Sequence, residues 1–402
     1  MFNGYLQLFK RYWAMLCFGM LAVFWGNFGQ SFFISWFGAS IQHDLNLSAT
    51  AYGSAYSLAT LGSGITLMFI GNLLDKWQLQ TVVIFSALGL MCAALLMWQV
   101  NSFILLIVAF YGLRLFGQGM FPHIGGTTMA RFFSQNRGKA LSVSSCGVPL
   151  GEMILPSLVL FVIPMFGWQS TWLIIALVGP LLFLPVAFRL LKIAPEPEAL
   201  TKENETAQAK IPQGSRRTVL QDRRFWCALP LVLMPPFVVT AVFIHHDYIL
   251  AGKGWSAELF AASFALYGLV HWASSIFSGA LVDRFSAKKT LSFMGLPFIA
   301  AFFLSMLSNS QALVFVLMFF MGAGIAMTGP VVGSLWAEVY GTANLGAIRS
   351  LTTSMMIVST AAASLLLGVL IDVGFSANGL LLVLACYAVA ATALSRFSYT
   401  TK

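Results

Sequence analysis

Two residues able to do chemistry stand inside otherwise apolar runs, Arg114 and Glu152. Arg114 opens Arg114-Leu115-Phe116-Gly117-Gln118-Gly119, and Glu152 closes Gly147-Val148-Pro149-Leu150-Gly151-Glu152. An isolated charge in hydrocarbon costs about 3 kcal/mol or more, so each requires a partner or a water-filled cavity. A guanidinium offers the positive end for an anion, and a carboxyl can take up a proton. An anion neutralising Arg114 would remove the cation that favours the ionised Glu152, linking proton and ligand. The other reading is a permanent ion pair that only fixes helix packing. Gln118, one helical turn from Arg114, is a candidate hydrogen-bond donor or a packing amide. His271, beside Trp272, is suited to ligand binding, proton carriage or a helix-to-helix hydrogen bond. Asn27 and Gln30, three apart on one helical face with Ser31 and Trp25, form a polar stripe that lines a cavity or glues helices.

The elements that must position these side chains follow from composition. Of 402 residues 59% are hydrophobic and 9% charged, against roughly a quarter charged in a soluble domain. Apolar runs recur near the ~20 residues a helix needs to cross a bilayer, and runs such as 103–110 lack a barrel's alternation. An all-helical integral membrane protein is expected, with spans at 13–41, 49–74, 80–99, 103–130, 138–165 and 169–191, then 226–250, 257–282, 289–307, 311–335, 346–372 and 377–395. Pro or Gly inside spans 4, 5, 7 and 10 are possible kinks. Measured from the far ends of spans 4 and 5, Arg114 and Glu152 lie roughly 16 and 20 Å deep at the helical rise. The first span reads as uncleaved. The five cysteines lack paired spacing and read as small hydrophobes.

Twelve spans put both termini on one side, and all 22 Lys and Arg except Arg114 and Lys253 fall on that side. The positive-inside rule makes it cytoplasmic, in a bacterial inner membrane. The net charge of +9 is thereby assigned to topology, and no nucleic acid partner is expected. Residues 192–224, with Pro195, Pro197 and the cluster Arg216, Arg217, Arg223 and Arg224, read as a solvated tether between a half at 1–191 and a half at 225–402, or as a headgroup-binding segment. His245, His246 and Asp247 at the far end of span 7 read as solvated interface residues, and His123 as packed against a neighbouring helix.

The halves repeat. Gly71-Asn72-Leu73-Leu74-Asp75-Lys76 after span 2 is matched by Gly279-Ala280-Leu281-Val282-Asp283-Arg284 after span 8, and at the same offset Gly138 matches Gly346 and Ser142 matches Ser350. In such a motif Gly lets a neighbouring helix approach, while Asp and the following cation pair with adjoining helix ends, making a breakable latch. With Arg131-Phe132-Phe133-Ser134-Gln135-Asn136-Arg137-Gly138 after span 4, the whole chain resembles the major facilitator superfamily. The resemblance implies its fold, two six-helix bundles related by a pseudo-two-fold axis, and alternating access about a site near the midplane. It makes Gly71, Asp75, Lys76, Gly279, Asp283, Arg284 and Arg137 latch residues, with Arg349 a gate or topology residue at the start of span 11. The first latch departs from the pattern: after Lys76 come Trp77, Gln78, Leu79 and Gln80 instead of a basic pair, while the second keeps Lys288 and Lys289.

Arg114-Leu115-Phe116-Gly117 looks like the superfamily's span-4 signature with a shifted Gly, and span 5 lacks the Gly-Pro-x-x-Gly-Gly of drug:proton antiporters. Residues 28–34 and 345–349 resemble the monocarboxylate and oxalate:formate branch, which commonly has an Arg where span 8 here has His271. The expected activity is proton-coupled transport, symport in this reading, of a small organic anion such as a monocarboxylate by a monomer without cofactor or metal. The alternatives are proton-antiport efflux of an amphipathic compound and a non-transporting membrane sensor. No enzyme is expected, because no His-Glu-x-x-His, no Gly-x-Ser-Gly and no Cys/His cluster occurs.

Overall fold

A computed structural model describes residues 2–71, 73–133, 136–194, 216–341 and 345–399. In hydrocarbon a chain must satisfy its own backbone, and among the described residues twelve helices are long and apolar enough to cross a membrane. These are α1 (Gln7–Gly29), α2 (Ala49–Ile70), α3 (Leu79–Trp98), α4 (Phe103–Phe132), α5 (Gly138–Phe166), α6 (Trp168–Ile193), α7 (Arg223–Ile244), α8 (Ala257–Phe285), α9 (Ala287–Met306), α10 (Leu313–Tyr340), α11 (Ile348–Asp372) and α12 (Ala377–Ser395). Most of the tether expected over 192–224 lies outside the described residues.

The expected unbroken first span is corrected. The α-helix stops at Trp25, Gly26–Gly29 forms a 3-10 turn, Gln30 is extended (φ −80°, ψ 152°), and a short helix resumes at Ser31–Ile34. Asn27 and Gln30 therefore do not share a helical face. The cause is close packing: Gly29 lies against the backbone of Leu113, Gly117 and Gln118, where a Cβ has no room. On the other side of that crossing, α4 widens into a π-helix over Leu113–Met120, a departure often found at functional sites. A second π segment, Gly179–Phe183 in α6, sets Phe183 under Trp25, the rings stacked at 5.0 Å.

The chain forms two compact units, one of residues 1–46 and 58–204, the other of 47–57 and 205–402. Within the first, α1 packs on α5 and α6, and α3 on α4 and α6. Within the second, α7 packs on α11 and α12, and α9 on α10 and α12. The same four pairings at equivalent positions are what a duplicated sequence should produce. Helix α2 is divided: its first turns, up to Ser57, cluster with the second unit and its remainder with the first.

Candidate functional site

The broken α1 lies between α4 and α5 within the first unit and touches both. From α4, Arg114 is 3% exposed and its Nη1 donates to the carbonyl of Gly29 at 3.2 Å. The carbonyl belongs to the 3-10 turn of Gly26–Gly29, where the regular helical hydrogen-bond pattern of α1 is interrupted. From α1, Asn27 is fully buried and its Nδ2 donates to the Gly147 carbonyl on α5 at 2.9 Å. Its Oδ1 finds no hydrogen-bond partner among the described residues. Gly151 lies directly against the Asn27 amide, in contact too close for any Cβ. The next residue on α5 is Glu152, 4% exposed. One break in one helix thus gathers Arg114, Asn27 and the Gly147–Glu152 stretch, three of the features singled out in the sequence.

Gln30 follows this turn and Gln118 flanks it, each half-buried. Because Gln118 stands in a π segment, the α-helical rule of one turn per four residues does not govern its position relative to Arg114. His271 is half-buried in the second unit on α8, its ring edge-on to Tyr267 at 6.0 Å. Also in the second unit is a cavity of about 780 Å³ among α7, α11 and α12, lined by side chains such as Leu233, Phe237, Val358 and Leu366 and by none of the charged candidates.

The two repeated segments expected to act as latches are held by different groups. In the first, His123 Nε2 bonds the Gly71 carbonyl at 2.8 Å and Arg131 Nη1 donates to the Leu74 carbonyl at 2.6 Å, while Lys76 is exposed. The side chains of Asp75 and Arg137 lie outside the described residues. In the second, a Cβ on Gly279 would meet nothing within 4 Å among the described residues, which does not match the close helix approach expected there. Asp283 and Arg284 are exposed, with the Arg284 guanidinium 5.2 Å from the Phe285 ring. A residue that sequence reasoning missed, Glu338 on α10, accepts from the amides of Ala287 at 2.8 Å and Lys288 at 3.3 Å. Arg349 is exposed and donates to the Gly333 carbonyl at 2.5 Å.

At the other end of α7 the sequence reading is overturned. His245 and His246 are 4% and 1% exposed, not solvated, because the chain folds back into the helix His246–Lys253 and α2 and α11 close over His245. Lys253 is likewise 1% exposed, its Nζ donating to the Ser308 carbonyl at 2.8 Å and to Asn378 Oδ1 at 3.0 Å. In the first unit Asp44 accepts from Trp168 Nε1 at 2.8 Å and lies 3.0 Å from His43 Nδ1. These two hydrogen bonds, His43's first, hold its carboxyl below the usual range.

Two units with matching pairings, each built of long apolar helices, define a multi-pass membrane protein of duplicated halves. The profile of the Major Facilitator Superfamily matches residues 16–261 and 237–401, and the chain belongs to that family. It is 26% identical over 200 residues to the gentisate transporter of Corynebacterium glutamicum, 48% of this chain and 43% of that protein. It is 28% identical over 204 residues to the probable galactarate/D-glucarate transporter GudP of Bacillus subtilis, 49% of this chain and 44% of that one. The chain thus spans less than half the length of these two curated relatives. A solved structure of a bacterial homologue of the human lysosomal transporter Spinster matches with a TM-score of 0.69 at 15% identity, covering 96% of each chain. That likeness concerns the fold.

Proposed function

We propose that the chain is a proton-coupled secondary transporter of a small organic anion, in which two halves, 1–191 and 225–402, joined by the tether 192–224, alternate access to Arg114. The observation that carries this reading is a guanidinium 3% exposed, anchored on the carbonyl of a helix break beside a buried amide. Half-helix ends and broken helices are where carriers expose backbone and charge to a solute. A carboxylate entering there would meet Arg114 as counter-ion. Asn27 Oδ1, a buried acceptor without a hydrogen-bond partner among the described residues, would receive a hydroxyl of the solute, relieving a cost of about 1–3 kcal/mol. Glu152 takes the proton, with Gln30, Gln118 and, from the second half, His271 completing the polar lining. The solutes named for the two curated relatives, gentisate and galactarate or glucarate, are carboxylates, which supports the anion class. The Lys and Arg distribution supports cytoplasmic termini, and in this reading the protein works as a monomer in a bacterial inner membrane.

Thermal-shift screening of the purified protein against mono- and dicarboxylates tests the reading. A stabilising carboxylate is expected, its effect lost in Arg114→Gln. Stabilisation by amphipathic cations with no response to any carboxylate overturns it.

A further inference from the structure

The proposed transport cycle leaves unused a polar seam within the second unit, where α2 begins and α7 ends. Its centre is Ser364 on α11. The Ser364 carbonyl accepts from His245 Nε2 at 2.7 Å, and its Oγ donates to the Gly53 carbonyl of α2 at 3.2 Å and lies 3.1 Å from Ser57 Oγ. Ser57 Oγ in turn donates to the Ala361 carbonyl. Eight residues further along α11, Asp372 accepts from the amides of Ala49 at 3.2 Å and Thr50 at 2.9 Å. These are orphan donors of the first turn of α2, where the helix dipole favours a carboxylate. A Cβ at Gly53 would strike the Ser364 carbonyl, and one at Gly368 would meet the Ala49 carbonyl at 2.5 Å. The two helices therefore meet backbone to backbone, and hydroxyls and a carboxylate bridge them.

His245 stands just beyond the end of α7 and is 4% exposed. A carbonyl acceptor requires the proton on Nε2, which leaves Nδ1 as the basic nitrogen. The groups that face the ring are the edge of Tyr52 from α2, with centroids 6.5 Å apart, Asp372 from α11, and His246 and Asp247 from the helix that follows. Lys253, at the far end of that helix, is turned to Asn378 on α12.

We propose that His245 is a proton-binding site that decides whether residues 49–57 of α2 stay docked on α11: with the ring neutral the seam is closed, and protonation from the adjoining aqueous side releases it. This deepens the transport reading and rests on it for its consequence, a second proton site distinct from Glu152 that couples acid on one face to opening of that face. Burial is the largest influence on the closed ring and outweighs the help of the Ser364 carbonyl and Asp372, lowering its pKa from 6.5 to about 4. A solvated ring binds the proton more readily than the closed one. The seam is therefore fully stable above the solvated value and is lost as pH falls from 6.5 towards about 4.

Hydrogen exchange by mass spectrometry on the full chain in lipid nanodiscs, without solute, reads the seam directly. With rates normalised for intrinsic exchange, peptides covering 47–57 and 361–372 are expected to exchange several-fold faster at pH 5 than at pH 8. In His245→Gln, which keeps a donor for the Ser364 carbonyl and takes no proton, the two pH values are expected to give equal protection. His245→Asn serves if the first variant does not fold, as judged by its melting curve. Asp372→Asn is expected to exchange faster at both pH values, which identifies the cap. Equal wild-type protection at pH 5 and pH 8, or an acid response retained without His245, overturns the proposal. Because no solute is present, this outcome is separate from failure of the carboxylate screen.

Discussion

Asn27 and Gly147, 120 positions apart, are joined by a hydrogen bond of 2.9 Å from the amide of one to the carbonyl of the other. This contact pins the break in α1 to the start of the apolar part of α5. Gly151, one turn on, leaves the space the Asn27 side chain fills. Glu152 is the next residue on α5 after this contact.

Gly151→Ala puts a methyl group into the Asn27 amide, and Gly147→Ala puts one against Met20 and Phe24 backbone. Overpacking of this kind costs about 1–3 kcal/mol. Both variants are expected to melt several degrees lower than the parent. Gly126→Ala, with nothing among the described residues within 4 Å of the added carbon, is expected to match it. Equal melting of all four proteins would show that the α1 break relaxes freely.

Glu152→Gln keeps the shape of the side chain and removes its proton exchange. In proteoliposomes, the variant is expected to bind the carboxylate found by thermal shift but to lose accumulation driven by a pH gradient. Full accumulation with the parent's pH dependence would remove Glu152 from the coupling step.

Glu338→Gln weakens a carboxylate cap on the amides of Ala287 and Lys288. A loss of about 1 kcal/mol is expected, read as faster hydrogen exchange over 287–291 with the rest of α9 unchanged. The first half has Ala130 at the equivalent position and relies on Arg131 and His123 instead. His123→Ala is therefore expected to loosen 71–76 and leave 287–291 alone.

Asp44 carries a depressed carboxyl pKa through His43 and Trp168. A group lowered in the folded protein stabilises it above its ordinary value, here 3.8, and loses that contribution as pH falls through the lower folded value. Asp44→Asn is expected to melt below the parent at neutral pH and to converge with it in acid below 3.8. A difference that stays constant with pH would assign the effect to packing.

Much of the architecture was legible from order along the chain. Apolar length marks a span wherever hydrocarbon replaces water, because each helix must satisfy its own backbone, and the observed ends of α3, α9 and α12 fall within a few residues of those expected. The repeat of Gly71 to Lys76 in Gly279 to Arg284 announced matching halves, and equivalent helix pairs follow. Arg114 and Glu152 stood out because charge inside an apolar run has a cost that demands a reason.

What was not legible depends on neighbours remote in sequence. A period of 3.6 assigns Asn27 and Gln30 one face, yet Gly29 is drawn onto the α4 backbone and the helix yields there. His245 and His246 read as solvated because their own segment ends in polar residues, whereas α2 and α11 cover His245 from more than 100 residues away on either side. Glu338 and Asp372 look like ordinary charges near span ends until the amides they cap are known. Periodicity and the price of burying charge act locally and can be read from one strand of sequence. Hydrogen-bond partners, close glycine contacts and the covering of a side chain exist only between segments, so the tertiary structure alone decided them.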